Sequence, residues 1–126
     1  MLISRDEVLM GRDAEYPLSP ELEANLSKLL LSLNKFRQQY GKPMVVSSGY
    51  RPGKYNTQAG GAKSSAHLTC EACDFRDEDH SLKDYVVHNP SILVDCGLYM
   101  EWPSNTPNWC HLQVRTIPSG NRIFRP

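Results

Sequence analysis

The chain has 126 residues, 40% of them hydrophobic and 22% charged, which is enough apolar sequence for one core and too little charge for disorder. Its 14 basic and 14 acidic residues cancel, so composition offers no basic face for nucleic acid and no pull toward an anionic membrane. No apolar stretch approaches the length of a membrane span. The first ten residues carry Arg5, Asp6 and Glu7 where a signal peptide needs an apolar run, so no secretion signal is expected and synthesis in a cytoplasm is. In that compartment Cys70, Cys73, Cys96 and Cys110 are expected as reduced thiols.

Ser4 followed by Glu7 forms a capping box and predicts a short helix from about residue 5 to residue 10 or 11. Residues 11–17 read as a loop. Ser19 as N-cap and Pro20 at the first helical position start the next helix. Leu22, Leu26, Leu29, Leu30, Leu33, Phe36 and Tyr40 then recur at steps of three and four, one apolar face that ends at Gly41. Such a stripe is how a helix docks on a core. Residues 43–47 are β-prone and run into the turn residues Ser48, Gly49, Pro52 and Gly53. Residues 54–63, with Asn56, Gly60 and Gly61, read as an irregular loop.

Residues 72–76 predict a second strand, in which Asp74 points opposite to Cys73 and Phe75. Residues 77–80 read as a solvated polar turn. Ser81 and Asp84 make another cap pattern, with a helix over about 82–88 that Asn89-Pro90 breaks. A short helix over 91–96 stops at Gly97. Residues 98–101 and 109–114 are strand candidates on either side of a proline-bearing loop, and residues 117–126 form a terminal tail with a turn at Ser119-Gly120-Asn121. Helices come first and short strands gather later, which points to a single α+β domain over residues 1–126.

His67, Asp74 and His111 are two imidazoles and one carboxylate. That donor set suits a zinc ion that keeps one coordination position open. A short turn can bring His67 and Asp74 to one point, and His111 sits on a strand that can lie beside the Asp74 strand. With four histidines in the chain, spacing does not single out this triple. Arg51, at the end of a strand, can place a cation against a substrate carboxylate or a developing oxyanion. A rival set, Cys70, Cys73, Cys110 and His111, would make a closed structural zinc site. It requires Cys73 and Asp74 to exchange faces, and the cysteines read more simply as small buried apolar side chains. His80 and His88 read as surface residues. Tyr50, Tyr55, Trp102 and Trp109 are candidates to line a groove.

The motif Ser47-Ser48-Gly49-Tyr50-Arg51-Pro52, with Asn56, Gly60-Gly61, Ser64-Ser65-Ala66-His67, Ala72-Cys73-Asp74 and Trp109-Cys110-His111, resembles the pattern of the zinc D-Ala-D-Ala carboxypeptidases and related murein peptidases. That group includes D,D-dipeptidases of vancomycin resistance, phage L-alanyl-D-glutamate endopeptidases, lysostaphin-like enzymes and the hedgehog signalling domain. The resemblance spans about residues 45–114. It implies a hedgehog/DD-peptidase-like fold in which a small antiparallel sheet, flanked by helices, holds one zinc ion on His67, Asp74 and His111. It implies that Arg51 contacts the scissile carbonyl or a substrate carboxylate, and that Ser65 supports the site or touches substrate. Tyr50 and Trp109 are the expected further substrate contacts.

The sequence departs from the pattern in three places. Cys70 stands where the family has a glycine. Trp109 stands where some carboxypeptidases have a second histidine. No glutamate lies just before His111, and the nearest upstream carboxylate is Glu101, expected as general base if residues 102–108 loop out and return. Asp77, Glu78, Asp79 and His80 are the reserves. The expected activity is hydrolysis of a peptide bond in peptidoglycan stem peptides by a phage endolysin or virion-associated wall hydrolase, acting as a monomer on the cell wall or periplasmic murein. The alternative is a hedgehog-like module that keeps zinc without catalysis.

Overall fold

The computed structural model describes residues 2–126. Helix α1, Arg5–Leu9, starts from a complete capping box: the Ser4 hydroxyl accepts from the Glu7 amide at 3.1 Å, and the Glu7 carboxylate accepts from the Ser4 amide at 3.0 Å. Met10 and Gly11 both turn left-handed, at φ 56° and 75°, and end it slightly earlier than the sequence suggests. Helix α2, Pro20–Tyr40, is capped by Ser19 and closed by Gly41 as expected. Its Leu26, Leu29, Leu33 and Phe36 are fully buried, while Leu22, Leu30 and Tyr40 pack at the margin of the same core. Each fully buried side chain contributes about 1.5–3 kcal/mol, so this stripe is the main apolar anchor of the helix.

Five strands, β1 (Val46–Ser48), β2 (Ala72–Arg76), β3 (Tyr99–Glu101), β4 (Trp109–Gln113) and β5 (Ile123–Phe124), form one sheet in the order β1-β2-β4-β3-β5. The β1/β2, β2/β4 and β3/β4 pairs are antiparallel. The expected antiparallel sheet is therefore the central part of a mixed one, because β5 pairs parallel to β3. The expected terminal tail supplies this edge beyond its turn, with the amides of Met100 and Trp102 donating to the carbonyls of Arg122 and Phe124, each at 2.7 Å. A two-residue strand is too short to show alternation in sequence.

The pleat sorts the side chains of β2 and β4 between two environments. Cys73, Phe75, Cys110 and Leu112 belong to the hydrophobic core together with Met100 and the α2 stripe. Asp74 and His111, the intervening residues, take the other face. Three short helices complete the frame: α3 (Gly53–Gln58), α4 (Ser81–His88) and α5 (Ser91–Cys96), the last packed against α2. Helix α3 replaces the first half of the expected loop. Its glycine and asparagine hide it from propensity, and tertiary contacts make it: Tyr55 meets Tyr16 edge-on with ring centres 6.2 Å apart, the Arg12 guanidinium lies 4.3 Å over the Tyr55 ring, and the buried Asn56 amide donates to the Ala62 carbonyl.

Gly49 is required by close approach. A Cβ there would sit 2.1 Å from the Val8 carbonyl oxygen, backbone against backbone, where the Tyr50 amide donates to that same oxygen at 2.8 Å. The end of α1 is thereby clamped to the end of β1.

Asp77 corrects the expected solvated turn. It is buried, and its two carboxylate oxygens accept from the amides of Leu82 and Lys83 at 2.8 and 3.0 Å, so it caps α4 in place of the Ser81 pattern. Lys83 is buried too. Its ammonium lies 3.6 Å from Asp77 and donates to the carbonyls of Thr106, Pro107 and Trp109. One interior cation thus ties the 102–108 loop to α4 and returns the chain into β4. Lys83→Met should leave a buried carboxylate and several carbonyls without their donor and lower the unfolding free energy by about 3–5 kcal/mol in a urea titration. A loss below about 1 kcal/mol would mean the ammonium contributes no net anchoring.

Candidate metal centre and its cavity

His67 lies in a one-turn 3-10 helix, Ala66–Thr69, whose cap is Ser65: the Ser65 hydroxyl accepts from the His67 amide at 3.2 Å. The turn closes at Cys70, which is left-handed at φ 59°. The glycine-like backbone is thus kept at the departing position, at a cost of roughly 1–2 kcal/mol for a residue with a Cβ, and the Cys70 side chain fills the core. The loop is held from outside as well. Arg115 donates to Glu71 at 3.1 Å, to the Thr69 hydroxyl at 2.7 Å and to the Ser64 carbonyl. The Arg51 amide donates to the His67 carbonyl at 3.0 Å.

The β2/β4 register sets Asp74 directly opposite His111. His111 Nδ1 is 2.8 Å and His67 Nε2 is 3.3 Å from the same Asp74 Oδ1. One donor atom from each of the three residues lies within 4.8 Å of the others, and all three side chains are buried. His67 Nδ1 donates to the Gly49 carbonyl at 2.8 Å, so Nε2 is the nitrogen turned to Asp74 and available to a metal. Burial alone would raise the Asp74 pKa, but hydrogen bonds from His111 and then His67, with their charges, hold it well below the usual carboxylate range. Burial opposes the charged form of His111 as well, and the Asp74 hydrogen bond and charge outweigh it, with a net upward shift. Two imidazoles and an ionised carboxylate converging on one point is a donor set that fits zinc.

These residues open into a cavity of about 420 Å³ whose walls also include Arg51, Ser65, Glu101, Trp109, Gln113, Phe124 and the Gly60-Gly61-Ala62 segment. Arg51 is half-buried, reaches the Ser65 hydroxyl at 3.5 Å and has an unpartnered Nε. Desolvation lowers its pKa, with Asp74 and Glu101 acting in the opposite sense. Glu101 ends β3. The β3/β4 register, Tyr99 opposite Gln113 and Met100 opposite Leu112, brings Glu101 beside His111 at the next step. Burial raises its carboxyl pKa against the opposing pull of His111.

The structure therefore gathers Arg51, Ser65, His67, Asp74, Glu101, Trp109 and His111 around one cavity. Tyr50 is not among its walls. It is 3% exposed, belongs to the hydrophobic core, and donates its hydroxyl to the Tyr16 carbonyl at 3.2 Å. It is a core residue, turned away from the side that Arg51 takes. Tyr55 and Trp102 also lie elsewhere, Trp102 in an apolar depression with Val87, Pro103 and Ile123. The rival cysteine set is absent, since Cys73 and Cys110 sit on the core face of the sheet. Burial pushes the Cys70 thiol up to about 12, and the Cys73 and Cys110 thiols well above their ordinary value. Gln113, which sequence reasoning passed over, accepts from His111 Nε2 at 2.7 Å. Its position two residues along the same strand was the available signal.

The family model described as Peptidase M15 matches residues 5–100. The chain belongs to the peptidase M15 family. M15 peptidases are zinc-dependent metallopeptidases, which agrees with the donor set found here. The matched segment contains Arg51, His67 and Asp74 and stops before Glu101 and His111, so the M15 assignment and the strand pairing that delivers His111 are independent observations. No curated protein matches the chain significantly.

One equivalent of zinc should bind the purified M15 chain. Asp74→Ala should abolish stoichiometric binding, whereas Cys110→Ala should retain it, as read by elemental analysis after gel filtration. The reverse pattern would move the site to the cysteines.

Proposed function

We propose that this M15 peptidase hydrolyses a peptide bond in peptidoglycan stem peptides, as a D,D-carboxypeptidase or an endopeptidase. The observation that carries the reading is the convergence of His67, Asp74 and His111 at the floor of a cavity walled by one cation, Arg51, and one further carboxylate, Glu101.

When bound, zinc supplies Lewis acidity and a water of near-neutral pKa. The chain's own groups do the rest. Glu101 takes the proton of the attacking water on a carboxylate oxygen and hands it to the departing amine. Its burial favours this, because a carboxyl raised above its ordinary pKa is a better proton carrier near neutrality. The Arg51 guanidinium, with Nε free, is placed for a substrate carboxylate or the charge that grows on the carbonyl oxygen. Ser65 orients that guanidinium and the His67 turn together. Trp109 forms a wall beside the scissile bond. The donor set is two imidazoles and a carboxylate, so no thiol is required.

The same reading places the protein with phage endolysins or virion-associated wall hydrolases, reaching murein in the cell wall or periplasm as a monomer. No helix among the described residues is long and apolar enough to cross a membrane. The non-catalytic alternative rests on the lack of a glutamate just before His111. Glu101, which lines the same cavity from a strand paired with β4, supports the catalytic reading instead.

Glu101→Gln should cut cleavage of defined muropeptides by about 10²–10⁴-fold while zinc binding persists. The same variant should raise the melting temperature of the metal-free protein at pH 7. The folded-state pKa of Glu101 lies above its unfolded value, so the protonated form is favoured by folding below that value. That contribution fades as pH rises through the raised pKa, and at pH 7 the ionised carboxylate is a liability that glutamine removes. Cleavage retained within tenfold would assign the proton transfer to another group, and wild-type protein that binds zinc without cleaving any muropeptide would favour the structural module.

A further inference from the structure

We infer that Gln113 is a positioning residue for the metal centre: its side-chain amide fixes His111 in the Nε2-protonated form and so commits Nδ1 to the metal beside Asp74. This rests on the reading of His67, Asp74 and His111 as ligands.

The hydrogen bonds behind His111 run in one direction, from the ring to Gln113 and from Gln113 to the backbone. Gln113 is 5% exposed and shares the site face of β4 with His111. Its Nε2 lies 2.9 Å from the Arg115 carbonyl. A carbonyl can only accept, so the NH2 end of the amide must point there and Oε1 must point to His111. Oε1 in turn can only accept, and it lies 2.7 Å from His111 Nε2. That ring nitrogen therefore carries the hydrogen. Nδ1 in turn faces Asp74 Oδ1 at 2.8 Å and donates there in the metal-free chain; with the Nε2 hydrogen held by Gln113, Nδ1 is the nitrogen left to give up its hydrogen and offer its lone pair when a metal binds beside Asp74.

His67 is oriented in the opposite sense. The Gly49 carbonyl takes its Nδ1 hydrogen, which leaves Nε2 toward Asp74. The two imidazoles thus offer different nitrogens to one point, each selected by an acceptor behind it. A backbone carbonyl does this for His67 and a side-chain amide for His111, which makes the second replaceable by mutation.

Arg115 links the two devices. Its carbonyl orients Gln113, and its guanidinium holds Ser64, Thr69 and Glu71, the loop that carries His67. A neutral amide acceptor also leaves the site charge unchanged. A carboxylate at this position would place a second anion against the Arg115 carbonyl.

The test uses the full chain with zinc as the probe. Gln113→Met keeps the volume and removes the acceptor. Chelator competition should show zinc affinity reduced by about 10–100-fold, the usual effect of losing an outer-shell partner, with the urea midpoint of the metal-free protein little changed. Affinity within twofold of wild type would overturn the proposal. Long-range 1H–15N spectra of the zinc-loaded wild type give a second readout that needs no variant. They should show His111 with its hydrogen on Nε2 and the metal-shifted nitrogen at Nδ1. Coordination through His111 Nε2 would overturn the proposal even if Gln113→Met proved too unstable to study. Neither readout depends on cleavage, so a protein that meets both and cuts no muropeptide would sink the proposed activity and leave this assignment standing.

Discussion

The β2/β4 pairing fixes almost everything that the site needs. It sets Asp74 against His111 across two strands, and it does so inside a ladder whose alternate residues, Cys73, Phe75, Cys110 and Leu112, are buried in the core. A slip of one residue would send the two ligands into the hydrophobic face and the cysteines into the cavity. Register and chemistry are therefore one constraint. The apolar packing beneath the sheet holds the carboxylate and the imidazole in place above it, and the β3 strand added to the same ladder brings Glu101 alongside.

That arrangement concentrates polar groups where burial is unfavourable to them. Asp74 stays ionised because two imidazoles hydrogen-bond it, whereas Glu101 and Arg51 are shifted in the directions that desolvation dictates, up and down respectively. Arg51 Nε has no hydrogen-bond partner among the described residues. A site with an unsatisfied guanidinium and a desolvated carboxylate is less stable than a fully paired one and better suited to receive a charged or polarised ligand. The rigid surroundings offset this: Lys83 pins the 102–108 loop through several carbonyls, Arg115 pins the His67 loop, and Gly49 lets α1 clamp β1 behind His67. Preorganisation of the ligands thus rests in part on two charged residues outside the cavity walls, the buried Lys83 and the partly exposed Arg115.

Much of this was legible in the residues. The α2 stripe was readable because a 21-residue helix repeats its period many times, and β2 and β4 were readable because the apolar and polar positions alternate cleanly. The ligand triple became distinct only with the Ser-Gly-Tyr-Arg and Gly-Gly frame around it. Local pattern failed where tertiary contact decides. Helix α3 depends on Tyr16 and Arg12, β5 depends on a parallel partner, and Asp77 looks solvated until its two amide donors and Lys83 are seen. Tyr50 was misassigned because an aromatic next to Arg51 can face either the cavity or the core, and the Val8 contact at its amide turns it to the core.

The central claim is that one metal sits on His67, Asp74 and His111 and that the buried cysteines take no part. X-ray absorption of the protein loaded with one equivalent of zinc tests it most directly. The account predicts a first shell of nitrogen and oxygen only, at about 2.0–2.2 Å, with the outer-ring scattering of two imidazoles. A sulfur shell at about 2.3 Å, or scattering from fewer than two imidazoles, would contradict it.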